Sequence, residues 1–191
     1  MRQQSCIFLV VVVGLFVINA VPRAATDITV PSLDGDLVSP LGSTGDITVL
    51  MFVTTDCPIA NRYAPEIRRI YDEFGEEVTF WLVYISDNGQ GDELNAHHNS
   101  FGFPMQGVRD THKALVDETG VAVTPEVAVY DATQVLRYRG RINDRYVEFG
   151  VTRPTASTHD LRDVLSRLVA GEHVPYSETQ AVGCYIPGVG D

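Results

Sequence analysis

The 191-residue sequence predicts an α/β domain, a central mixed sheet flanked by helices, ending in an irregular C-terminal tail. Three observations carry that expectation. Short, nearly continuous apolar runs of β-forming residues alternate with segments of helical periodicity. A proline, Pro125, interrupts the apolar pattern of a later strand, and glycine- and proline-rich sequence follows the last helical segment. At 45% hydrophobic and 20% charged, the chain suits one compact domain with a substantial core.

Residues 1–25 read as an export signal: Arg2 precedes an apolar run from Cys6 to Ile18, and Ala20, Ala24 and Ala25 supply small residues for cleavage. The run falls short of the ~20 apolar residues that span a bilayer, so no stable membrane span is expected and the destination is periplasmic or secreted. Cys6 leaves with the signal, and Cys57 and Cys184 remain where a disulfide can persist. A formal charge of −11 argues against nucleic acid as a partner.

Residues 26–171 form the expected domain. Asp46 to Val53 is a strand buried on both faces. After Cys57-Pro58, the positions Tyr63, Ile67, Ile70, Tyr71 and Phe74 recur at helical spacing until Gly75 stops them, and Val78 to Ser86 completes a β-α-β unit with parallel strands. Asp92 to Phe101 is a short helix, Met105 to Val108 a short strand, and Thr111 to Thr119 a helix ended by Gly120. Val121 to Tyr130 and Val135 to Arg141 are strands of a hairpin, with Pro125 either strand-initial or cis because it cannot donate to a ladder. Thr158 to Ala170 closes the domain as an amphipathic helix, and 172–191 is a tail carrying Cys184.

This order of elements, with a hairpin strand opening at Thr124-Pro125, resembles the thioredoxin fold. Within it, Thr54-Thr55-Asp56-Cys57-Pro58 and the line TPEVAVYDATQVLRYRGRIND from Thr124 are similar to the redoxins, exported thioredoxin-like proteins related to the alkyl hydroperoxide reductase and thiol-specific antioxidant family. The resemblance covers Asp27 to Ala170. It implies that Pro125 is cis and faces the active cysteine, bringing distant parts of the chain together.

The chemistry centres on Cys57. A thiol at the mouth of a helix N-terminus meets unpaired N–H groups and the positive end of the dipole, both favouring thiolate, so Cys57 is the expected nucleophile. Thr54 matches the threonine of the peroxiredoxin T-x-x-C pattern, although Leu50 stands where that pattern has a proline. Asn61 occupies the second position of a C-x-x-x-C motif, so no vicinal resolving thiol is present. Three readings of Cys184 stay open: it resolves an oxidised Cys57, forms a standing disulfide with it, or adds a second soft metal ligand. The expected activity is thiol-dependent oxidoreduction on a disulfide or peroxide, with a thiol reductant, no cofactor, and Cys57, Thr54, Pro125 and Cys184 as the site. The alternative is a non-enzymatic copper-binding module built from Cys57, Cys184 and His112, in line with a similarity to the Sco copper-chaperone family. His97 and His98, in a polar stretch, are expected on the solvated surface. Arg137, Arg139 and Arg141 share one strand face, where they either steady a thiolate or pair with surface acids.

Overall fold

The computed structural model describes residues 26–42, 45–85 and 91–189; the expected export signal, with Cys6, lies outside them. The described elements begin with a small hairpin of β1 (Val30–Pro31) and β2 (Leu37–Val38). Then come β3 (Ile47–Val53), α1 (Pro58–Phe74), β4 (Val78–Tyr84), α2 (Gly91–Phe101), β5 (Gln106–Arg109) and α3 (Ala114–Thr119). Two short pieces, β6 (Val123–Thr124) and β7 (Glu126–Tyr130), precede β8 (Leu136–Gly140), and β9 (Tyr146–Glu148) pairs with β10 (Val151–Thr152). The chain ends with α4 (Asp160–Val169), β11 (Ser177–Glu178) and β12 (Cys184–Tyr185).

Six strands form one mixed sheet in the order β11-β8-β7-β3-β4-β5. β3 is its centre, parallel to β4 and antiparallel to β7. From Val49 to Val53 every residue of β3 is at most 1% exposed, as a continuous apolar strand covered on both faces requires. Successive side chains point to opposite faces. Val49, Met51 and Val53 join one core with Ile67 and Ile70 of α1 and Leu161 and Leu165 of α4. Leu50 and Phe52 join the other, with Leu115 and Val116 of α3. Fully burying each such side chain contributes roughly 1.5–3 kcal/mol, so β3 and α1 are anchored from two sides. What they anchor is the loop between them, which carries Cys57.

Three features refine the expected elements. The strand drawn from Val121 to Tyr130 is two strands, because Thr124-Pro125 is a cis peptide and β6 turns away from the sheet. α3 begins at Ala114 rather than Thr111: Lys113 takes a left-handed φ of 57°, and the buried Asp110 carboxylate accepts from Leu115 N and Val116 N, capping the helix there. The tail, irregular over most of its length, carries two two-residue strands, β11 along the edge of β8 and β12 against β6.

Candidate functional site

Pro58 opens α1, where its missing N–H and restricted φ are suited to a first turn, and Cys57 is the N-cap. Its Sγ accepts from Ala60 N at 3.4 Å. On its other side the thiol donates to the Thr124 carbonyl at 3.0 Å, joining residues 67 apart in sequence. Thr124 precedes Pro125 across the cis bond that the resemblance implies, so the cysteine's contact falls on the carbonyl of the peptide leading into the proline. Cys57 is 1% exposed.

Cys184 reaches the same carbonyl-bearing residue from the tail. β12 runs antiparallel to β6 with Cys184 opposite Thr124 and Tyr185 opposite Val123. Both cysteines are free thiols. Burial pushes the Cys184 thiol up to about 12, and its hydrogen bond with Cys57 and the nearby Asp56 carboxylate act in the same direction. The approach is close enough to need glycine: a β-carbon on Gly183 would run into the Thr124 carbonyl.

The tail is held by polar contacts and by Val174 and Ile186, which are buried in the cores. Thr179 N donates to Arg139 O at 3.0 Å, and the Tyr138 and Thr179 hydroxyls lie 2.6 Å apart. Arg139 pairs with Glu178 at 2.6 Å and donates to Gly120 O at 2.7 Å. Beyond Cys184, Ile186 is buried, its N–H donates to Ala122 O, and Lys113 Nζ donates to Pro187 O at 2.6 Å. Beneath β6 lies Glu126, directly after Pro125 and buried. Its carboxylate accepts from Ala122 N at 2.8 Å and Val123 N at 3.3 Å, while burial pushes its pKa up against those two donors. Glu126 therefore braces the strand on which both thiols converge. Sequence reasoning missed it, although an acid beside the strand proline in an apolar run was the available signal.

Thr54 Oγ1 meets Thr124 Oγ1 at 3.4 Å, so the threonine of T-x-x-C supports the peptide that receives Cys57. Asn61, at the place of the absent second cysteine, has a tethering arrangement. Its Nδ2 donates to Thr55 O at 2.9 Å, which turns Oδ1 toward His97 Nε2, also at 2.9 Å. That nitrogen must carry a proton, and His97 Nδ1 then accepts from the Tyr84 hydroxyl at 3.0 Å. His97 and His98 are thus not on a solvated surface: they pack against Phe103, and His97 also against Phe101. Burial lowers the pKa of both, and in His97 the neighbouring His98 adds to it. Phe101, one helical turn after His97, was the cue to a covered face.

The strand arginines pair with acids. Arg137 meets Asp131 at 2.6 Å, Arg139 meets Glu178, and Arg141 meets Asp160 at 2.9 Å. His112 is exposed, and among the described residues no three His, Cys, Asp or Glu side chains are gathered as a metal set would need.

Two clefts flank Cys184. The larger, about 730 Å³, lies between the tail and the β9–β10 hairpin, with Arg141, Tyr146, Phe149 and Arg153 in its wall. The smaller, about 400 Å³, is bounded by Thr54, Asp56, Glu93 and Lys113. Cys184 and Tyr185 line both, and Cys57 lines neither.

The family model described as AhpC/TSA matches residues 21–145. Among solved structures, an uncharacterized conserved protein from Geobacillus kaustophilus is similar at 22% identity and a TM-score of 0.72, over 86% of this chain and 90% of that one. A secreted Mycobacterium tuberculosis disulfide oxidoreductase homologous to E. coli DsbE is similar at 21% identity and a TM-score of 0.55, over 76% and 96%. The thioredoxin domain of a thiol-disulfide oxidoreductase from Bacteroides vulgatus is similar at 15% identity and a TM-score of 0.58, over 78% and 98%. No curated protein matches. At these identities the likeness is one of fold, and the fold is that of thioredoxin.

Proposed function

The chain belongs to the AhpC/TSA family, and on that premise we propose that it is an exported thiol–disulfide oxidoreductase whose nucleophile is Cys57 and whose resolving thiol is Cys184. The observation that carries this reading is the pairing of β12 with β6, which sets Cys184 opposite the residue whose carbonyl contacts Cys57. In the first step the Cys57 thiolate attacks one sulfur of a substrate disulfide, forming a mixed disulfide and releasing one substrate thiolate. Cys184, as thiolate, then attacks Cys57 Sγ, displacing the second substrate thiolate and closing a Cys57–Cys184 disulfide. Two electrons pass to the substrate, and the protons lost by the two cysteines balance those gained by the two substrate thiols.

Disulfide exchange fits better than peroxide reduction because Thr54 is engaged with Thr124 and Leu50 replaces the proline of the peroxidase pattern. In the reduced protein the tail covers Cys57, so attack requires β12 to lift from β6. Export is supported by the N-terminal pattern of residues 1–25 and by the secreted structural neighbour.

The test is incubation of the reduced protein with oxidised glutathione or with hydrogen peroxide, followed by thiol counting and peptide mapping. The expected result is rapid joint loss of both thiols with oxidised glutathione, slower loss with peroxide, and no glutathione release by Cys57→Ser. Unchanged exchange in Cys57→Ser would discard the assignment of the nucleophile.

A further inference from the structure

The two thiols differ sharply in access. Cys57 is 1% exposed and lines neither of the two clefts beside Cys184, whereas Cys184 is half-buried and lines both. We propose that, once Cys57 and Cys184 are joined, the sulfur attacked by the external thiol that resets the protein is Cys184, reached through the clefts beside it. This inference rests on the function proposed above and adds the polarity of its second half-reaction.

An incoming thiolate R–S⁻ donates its electron pair to Cys184 Sγ, forming an R–S–Sγ bond as the Sγ–Sγ bond breaks. The released pair stays on Cys57 Sγ. There Ala60 N–H already points at the sulfur, and the positive end of the 17-residue helix α1 receives the charge. A second thiolate attacks the R sulfur of the adduct, giving R–S–S–R and leaving Cys184, which takes a proton from solvent. Two thiols are oxidised, and one protein disulfide is reduced.

Attack in the opposite sense is disfavoured twice over. The incoming sulfur would have to reach a buried atom, and the departing charge would fall on Cys184, beside Asp56, where burial favours the protonated thiol. The position of the tail thus decides which half of the disulfide faces the solvent.

The full chain is oxidised with diamide, freed of oxidant and exposed briefly to glutathione. It is then quenched with acid and labelled with N-ethylmaleimide before peptide mapping. Glutathione is expected on Cys184 and the label on Cys57, in excess of the reverse pattern by about tenfold or more. The brief exposure and the acid quench trap the adduct before Cys57 or a second glutathione can attack its glutathione sulfur, so the map records the first attack. A linked protein that takes glutathione on Cys57, or equally on both, overturns this inference alone. Failure of diamide to link the two cysteines overturns it together with the function on which it rests.

Discussion

Cys57 and Cys184 arrive at the same peptide by opposite means. Cys57 sits on a loop between β3 and α1, whose apolar residues are buried in the body of the domain. Cys184 sits on a tail held by two two-residue strands, side-chain hydrogen bonds and the Arg139–Glu178 pair, with Val174 and Ile186 buried and Val182 and Val189 packed against the cores. Burial along a whole strand and helix fixes the first, whereas two buried side chains and a set of polar latches fix the second. Segments with few buried apolar contacts open at the lowest free energy, so the molecule is built to move Cys184 while holding Cys57 still.

The sharpest way to break that comparison is to remove the moving thiol. Cys184→Ser leaves Cys57 able to attack but unable to be resolved from within. Turnover of oxidised glutathione is expected to fall on the order of 10- to 100-fold as the Cys57–glutathione adduct accumulates, visible by intact-protein mass. An unchanged rate would remove Cys184 from the mechanism.

Next come substitutions that separate the two regions. Ile70→Ala, in the core shared by α1 and β3, should cost about 2–5 kcal/mol of global stability, measured by denaturant unfolding. Gly183→Val should instead expel the tail, because the Thr124 carbonyl leaves no room for a side chain. Alkylation of Cys57 by iodoacetamide should rise about tenfold, with little change in the main unfolding transition. An equal loss of global stability in both variants would mean that the tail is part of the cooperative core.

These variants also mark how far the sequence was readable. β3, α1 and Cys57 are legible because long periodic runs and an N-cap motif announce them, and Pro125 announces its own exception within a strand. The docking of Cys184 is not, because two-residue strands carry no periodicity and the contacts that align them, such as Tyr138 with Thr179, link residues 41 apart. In the sequence Asn61 shows only that a second cysteine is missing. Its hydrogen bond to His97 depends on how α2 packs, which a polar stretch of sequence conceals.

Smaller effects follow from the latches. Arg139→Ala removes an ion pair whose partners are 27% and 56% exposed, worth about 0.2–1 kcal/mol, so Cys57 alkylation should rise only a few-fold, and less at high salt. The Cys184 thiol supplies a pH dependence of definite sign. Its folded pKa is raised from 9.0 to about 12, so the closed tail is fully favoured below pH 9.0 and loses that stabilisation as pH rises toward 12. Limited proteolysis of the tail should accelerate across that window in the wild type and stay flatter in Cys184→Ala.

The central claim is that the two distant cysteines act as one redox unit, and its most direct test is equilibration of the protein in glutathione redox buffers with mass detection. The account predicts a single two-electron transition between a dithiol monomer and a monomer bearing an internal Cys57–Cys184 disulfide. Independent glutathionylation of the two cysteines, or disulfides formed only between molecules, would contradict it.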